Sequence, residues 1–193
     1  MSNSSGSVKI VAISGSLRKA SINSGLVRAA VELANEIPGL EVDAVYIGDL
    51  PFLNTDLEVN GKYPDAVEAV RSRVSQADGV LFASPEYNYS VSGLLKTAID
   101  WVGRPPNVWA GKPAAVVSAG GGFGGGRSGY HLRQSGVFLD LHFLNKPELF
   151  VRAFEPPAKF DAGGNLIDAA TRERLKEVLI ALQAWTKKIK YGA

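Results

Sequence analysis

The stretch Val8-Lys9-Ile10-Val11-Ala12-Ile13, followed after Ser14 by Gly15-Ser16-Leu17-Arg18-Lys19-Ala20-Ser21-Ile22-Asn23, joins a short apolar run to a polar loop. The run reads as a buried strand. Beyond the loop, Leu26, Val27, Ala30, Leu33, Ala34 and Ile37 recur at helical intervals with Arg28, Glu32 and Glu36 opposite, until Pro38-Gly39 ends the pattern. The loop therefore stops where a helix starts. Helix N-termini present unpaired N–H groups and the positive end of a dipole to anions. The hydroxyls of Ser16 and Ser21, the Arg18 guanidinium, the Asn23 amide and the backbone around Leu17 all suit one phosphate. The stretch reads as a nucleotide or flavin site.

Working outward, four more apolar runs follow: Val42 to Ile47, Val80 to Ala83, Ala114 to Val117, and Leu141 to Leu144 continuing toward Val151. Helical stripes separate them. Pro64-Asp65 starts one bearing Val67, Val70 and Val74, and Leu94, Leu95, Ala98, Ile99 and Val102 form the next, ended by Gly103 and Pro105-Pro106. Ser128 to Leu139 reads as a fourth helix. Asp168 caps a long fifth one with Leu175, Val178, Leu179, Leu182, Trp185 and Ile189. Strands too apolar to face water on one side, alternating with helices, predict an α/β sandwich: a five-stranded parallel sheet covered on both faces. In the common order 2-1-3-4-5, ligands sit where the order reverses, between strands 1 and 3. That rule is borrowed, and its test is that the loops after those strands carry the unusual polar residues.

They do. After strand 3 comes Ser84-Pro85-Glu86-Tyr87-Asn88-Tyr89-Ser90, read as a turn that Pro85 stiffens, with acceptors and amide donors on Glu86 and Asn88 and a flat face on Tyr87. A strand-to-helix connection needs only a turn and a cap, so most of this is surplus to folding. After strand 4 comes Ser118-Ala119-Gly120-Gly121-Gly122-Phe123-Gly124-Gly125-Gly126, small enough to bring backbone N–H groups against a planar ligand. Gly120, Gly122 and Gly125 also satisfy a dinucleotide fingerprint, with Asp140 downstream. A run this rich in glycine satisfies any glycine pattern, and the fingerprint belongs in the first turn, so it is set aside. Trp101 and Trp109 flank the Arg104-Pro105-Pro106-Asn107 turn and are expected to wall a substrate slot.

Composition narrows the chemistry. The 193 residues are 46% hydrophobic, enough for one substantial core, and predict a single domain over residues 1–193 with the first seven disordered. Lys plus Arg exceed Asp plus Glu by only 21 to 19, without the basic face that nucleic acid requires. With no cysteine, thiolate chemistry and disulfides are excluded, so redox chemistry needs a bound cofactor. The two histidines, His131 and His142, lack an acidic partner at ligand spacing, so no metal site is expected. Neither a Gly-x-Ser-x-Gly elbow nor a Walker-type ending is present. No apolar run approaches the ~20 residues of a membrane span, and Met1 to Ser7 lacks the core of a secretion signal. A soluble, cytoplasmic protein is expected.

Gly15 to Asn23, Ser84 to Val91, Leu95-Lys96-Thr97-Ala98-Ile99-Asp100-Trp101 and Tyr130-His131-Leu132-Arg133-Gln134 together resemble the NADPH-dependent FMN reductase family, and within it the NAD(P)H:quinone reductase and chromate reductase branch. The likeness runs from the first strand to about Pro147 and weakens beyond Phe150. It implies a flavodoxin-like FMN protein, a homodimer or homotetramer. Ser16, Arg18, Ser21 and Asn23, with Leu17, would hold the FMN phosphate. Pro85, Glu86, Tyr87 and Asn88 would line the ribityl chain and ring, with Ser118, Gly120 and Gly121 at its far side. Arg104 and Arg127 are candidates for the NADPH or NADH phosphates, with Tyr87 and Phe123 on the substrate side. Either arginine is alternatively a surface charge, or Arg127 a partner of Glu148 across a subunit contact. No protein group is expected to be catalytic, because the flavin carries the hydride. The expected reaction is two-electron reduction of a quinone, with azo dyes or chromate as further acceptors. Rival readings are a single-electron carrier, which the balanced charge disfavours, and a reductase that releases reduced FMN.

Overall fold

A computed structural model describes residues 6–192. Five parallel positions form its main sheet. They are β1 (Val8–Ser14), β2 (Leu40–Val45), β3 (Gly79–Ala83), β6 (Pro113–Gly120) and an outer position shared by β7 (His142–Phe143) and β8 (Leu149–Arg152). The order is β2-β1-β3-β6, with β7 and β8 both paired to the free edge of β6, and every pairing is parallel. The expected reversal between the first and third strands is present. A separate two-stranded hairpin, β4 (Glu86–Tyr87) and β5 (Ser90–Val91), lies in the chain between β3 and β6.

The two-residue period of the strands divides the core. Val8, Ile10 and Ala12 of β1, with Leu81 and Ala83 of β3, pack under α1 (Ile22–Ala34) and α5 (Ala169–Tyr191). Val11 and Ile13, with Val80 and Phe82, pack under α2 (Asp65–Gln76), α3 (Gly93–Val102) and α4 (Gly126–Phe138). All five residues of β3 are buried, as expected of a central parallel strand. Asp168 caps α5 as its sequence position predicts, its carboxylate accepting the Thr171 N–H at 2.7 Å.

Three expectations change. The fifth strand is broken: between the Pro113–His142 and Val117–Leu149 pairs, β6 advances four residues and its neighbour seven. The intervening segment holds Pro147, which has no N–H to give a ladder. The polar turn after β3 is a hairpin. Its central residues Asn88 and Tyr89 have φ of 49° and 66°, the left-handed pair of a type I′ turn. Finally, α4 starts at Gly126, two residues early, which puts Arg127 in its first turn. The expected disorder of residues 1–7 falls outside the described residues for 1–5, and no helix among those described is long and apolar enough to cross a membrane.

Candidate functional site

The loops after β1, β3 and β6 leave the same ends of three adjacent strands and converge there. The first two are stitched together: the Gly15 N–H donates to Ala83 O at 3.0 Å, and the Ser92 hydroxyl donates to Gly15 O at 2.6 Å. The same Ser92 oxygen caps α3 by accepting the Leu95 N–H. One serine thus sets the start of α3 and the path of the first loop.

In that first loop the backbone N–H groups of Ser16, Leu17, Lys19 and Ala20 donate to no protein acceptor among the described residues. Arg18 and Lys19 are exposed and reach no carboxylate there. Ser16 and Arg18 line a cavity of about 260 Å³ with Ser14, Ser24, Arg28 and Tyr46. Unpaired amides, two free cations and the start of α1 make a donor set matched to a dianion. Of the two remaining side chains expected to share this task, one is committed elsewhere. Asn23 is buried, its amide donating to Ala119 O (2.9 Å) and accepting the Ala119 N–H (3.0 Å), which ties α1 to β6. Ser21 is buried as the N-cap of α1 and accepts the Ser24 N–H.

The third loop is held from inside. The Ser118 hydroxyl, fully buried, donates to Gly124 O at 2.6 Å, so it braces the loop. A Cβ on Gly125 would lie 2.6 Å from that hydroxyl oxygen, and φ of +85° there independently demands glycine. Gly121 and Gly122 are different: nothing stands within 4 Å of a Cβ at either. The Ser128 hydroxyl donates to Ser84 O, joining α4 to the end of β3.

Across the mouth, Glu86 and Arg127 engage each other. The Glu86 carboxylate accepts the Arg127 backbone N–H and its Nη1, both at 3.0 Å, and the guanidinium lies 3.9 Å from the Tyr89 ring centroid and 4.5 Å from that of Phe123. This pair locks the β4–β5 hairpin to α4, while Tyr87 and Asn88 remain exposed beside it. Arg104 does not join the cluster. It follows α3, whose ten residues rise about 15 Å. There it holds Glu58 through Nε (2.6 Å) and Nη2 (3.0 Å), and that carboxylate raises its pKa. Trp101 and Trp109 line no slot. Both are fully buried, with indole N–H groups donating to Pro51 O and Ile99 O.

Sequence reasoning gave Ser84 and Tyr89 no role, and offered Ser90 or Ser92 only as the helix cap, which Ser92 is. The Ser84 hydroxyl is buried with no protein partner, at the point where β3 meets the converging loops. The signal was a lone hydroxyl ending a wholly apolar run. Tyr89 gave none, because a left-handed tyrosine is uncommon.

Spare donors in the loop after β1, at the reversal point of a parallel sheet, place the chain among α/β proteins whose ligands sit at that reversal. Residues 8–155 match the model of the family described as NADPH-dependent FMN reductase, and the chain belongs to that family. It is 62% identical over 183 residues to an NADPH:quinone oxidoreductase of Arabidopsis thaliana, covering 94% of this chain and 93% of the relative. An NAD(P)H:quinone oxidoreductase of Solanum tuberosum is 62% identical over 184 residues, 95% of each chain. Among solved structures, an NAD(P)H:(acceptor) oxidoreductase from Paracoccus denitrificans aligns with a TM-score of 0.82 at 33% identity, over 94% of this chain and 98% of that one.

Proposed function

We propose that this chain is an FMN-dependent NAD(P)H:quinone oxidoreductase that reduces quinones to hydroquinones by two electrons. The observation that carries the reading is the cradle of Ser16 to Ala20: four amides uncommitted among the described residues, with the exposed Arg18 and Lys19 beside them. The donor set fits FMN, an anionic tail joined to a planar ring. Held there, FMN would supply hydride chemistry, taking a hydride from the nicotinamide and delivering it to the quinone, with the second proton of the hydroquinone coming from solvent.

The chain's own residues place that chemistry. Ser16 and Arg18 take the phosphate, with the amides around Leu17. Ser21 and Asn23 set the loop's exit and its distance from β6. Pro85, Tyr87 and Asn88 flank the ring. Gly121, just past the end of β6, leaves its backbone N–H available to negative charge, in a loop held in place by Ser118. Glu86 and Arg127 keep the mouth in shape. Tyr87 and Phe123 border the opening that nicotinamide and quinone enter in turn. Both visitors use one opening, so initial-rate plots are expected to be parallel, the signature of a ping-pong sequence.

The experiment is an absorption spectrum of the purified protein. Yellow absorbance should bleach when NADPH is added and return with benzoquinone. A colourless protein that takes up no FMN sinks the reading. The proposal extends to a single domain and to a cytoplasmic enzyme, placed where its nicotinamide co-substrate is regenerated. It also includes a homo-oligomer, dimer or tetramer, supported by Val137 and Phe138, which are 80% and 90% exposed on α4. Light scattering and cell fractionation test these extensions.

A further inference from the structure

Residues 160–166 lie beyond the 8–155 stretch that matches the family model, yet they form the rear wall of the first loop. An antiparallel bridge between Phe160 and Leu166 closes a turn around Asp161 to Asn165. Inside it, the Asp161 carboxylate accepts the Asn165 N–H at 2.8 Å and its side-chain amide at 3.0 Å, while the Gly164 N–H donates to Asp161 O. The side-chain amide of Asn165 and then its backbone N–H hold the Asp161 carboxyl below its ordinary range. The turn is internally braced, and Ile167 and Asp168 bond to Lys159 O just before α5 begins.

Its outer side is wedged against the cradle. A Cβ on Gly164, already at φ +76°, would lie 2.7 Å from Ala20 O and 2.9 Å from Ser21 C. A Cβ on Gly25, in the first turn of α1, would lie 1.8 Å from Gly164 O. From α1, Arg28 reaches over, its Nε donating to the Asn165 side-chain oxygen at 2.8 Å and Nη2 to Gly163 O at 3.3 Å. Among the described residues Arg28 meets no carboxylate within ion-pair distance, so its charge stays on the wall of the cavity that holds Ser16 and Arg18.

Within the cradle, by contrast, two N–H groups bond back among the described residues, that of Ser21 to Arg18 O and that of Arg18 to the Ser16 hydroxyl at 3.4 Å. A loop with so few bonds of its own is held in shape from outside, and an anion is bound tightly only where its donors are preset.

We propose that the Asp161–Asn165 turn, gripped by Gly25 and Arg28, is a positioning element for the FMN phosphate: it fixes Ala20 and Ser21 so that the loop's amides converge on one anion. This rests on reading the first loop as an FMN cradle. Gly25, Arg28, Gly164 and Asn165 are positioning residues and touch no reacting atom.

The test compares binding of FMN and of riboflavin, which lacks the phosphate, to the full-length apoprotein by flavin-fluorescence titration. Gly25→Ala suits it: alanine favours the helix, so the added methyl acts on the turn and not on α1. FMN binding should weaken roughly tenfold while riboflavin binding stays within about twofold, with an unchanged far-UV spectrum. Equal weakening of both ligands, or a ratio equal to that of the unmodified protein, overturns the proposal. Should Gly25→Ala fail to fold, Asn165→Ala removes one of Arg28's two acceptors and the side-chain amide that braces Asp161, without adding atoms. It is expected to lower the same ratio roughly threefold, and an unchanged ratio again overturns the proposal. If the unmodified protein itself shows no preference for FMN, the cradle reading fails; a preference that both variants keep defeats only the turn's role.

Discussion

The first loop and the rim formed by the β4–β5 hairpin and the glycine loop are made of similar residues and do opposite things. In the rim, polar groups are spent inside the protein: Glu86 on Arg127, Ser118 on Gly124 and Ser128 on Ser84. In the first loop, amides and cations are left over. On the proposed reading the rim is a frame, its polar groups satisfied within the protein, and the first loop is the receptor, its donors left for a ligand. Because charge-assisted hydrogen bonds are the strong ones, most of the ligand affinity should reside in the loop with spare donors.

If so, Arg18→Ala should have the largest effect. Loss of one charge-assisted contact to a phosphate is worth about 1.5–3 kcal/mol, roughly ten- to hundredfold in FMN dissociation constant. Unchanged flavin retention on gel filtration would remove Arg18 from the cradle. Next, Arg127→Ala tests whether the rim is only a frame. The guanidinium is already held by a carboxylate and two rings, so stability should fall by about 1 kcal/mol and the melting temperature by about 2–4 °C. The KM for NADPH should change less than about threefold, the size of effect expected when a committed group is lost. A tenfold rise in KM at constant melting temperature would mean that Arg127 leaves its pair to meet the dinucleotide. Smallest in its effect on function is Trp101→Phe, which deletes a part-buried hydrogen bond to Pro51 O. It should lower stability by about 1 kcal/mol with kcat and quinone KM unaltered, read by thermal melts and initial rates. A raised quinone KM would return Trp101 to the substrate slot.

The frame and the receptor were unequally visible in the sequence. Strand alternation, the buried third strand and the polar loops follow from periodicity and from where polar residues interrupt it, while the reversal point came from a borrowed strand order. What did not follow is which polar groups are free. Asn23 and Ser16 look equally suited to a phosphate, but Asn23 is taken by the backbone of Ala119, 96 residues away. Arg28 meets Asn165 across 137 residues, and Arg127 meets Glu86 across 41. Such pairings depend on tertiary contact, and no local pattern encodes them. The hairpin was hidden because its left-handed turn is Asn88-Tyr89 and not an Asn-Gly pair. Trp101 and Trp109 misled by lying near a turn in sequence while their rings point into the core.

Isothermal titration of the apoprotein with FMN and, separately, with riboflavin asks directly whether the loop after β1 is the receptor. Binding of FMN at least roughly a hundredfold tighter than that of riboflavin is predicted, the yield of two or more charge-assisted contacts to one phosphate. Equal affinities would contradict it, since the spare donors of Ser16 to Ala20 would then contribute nothing.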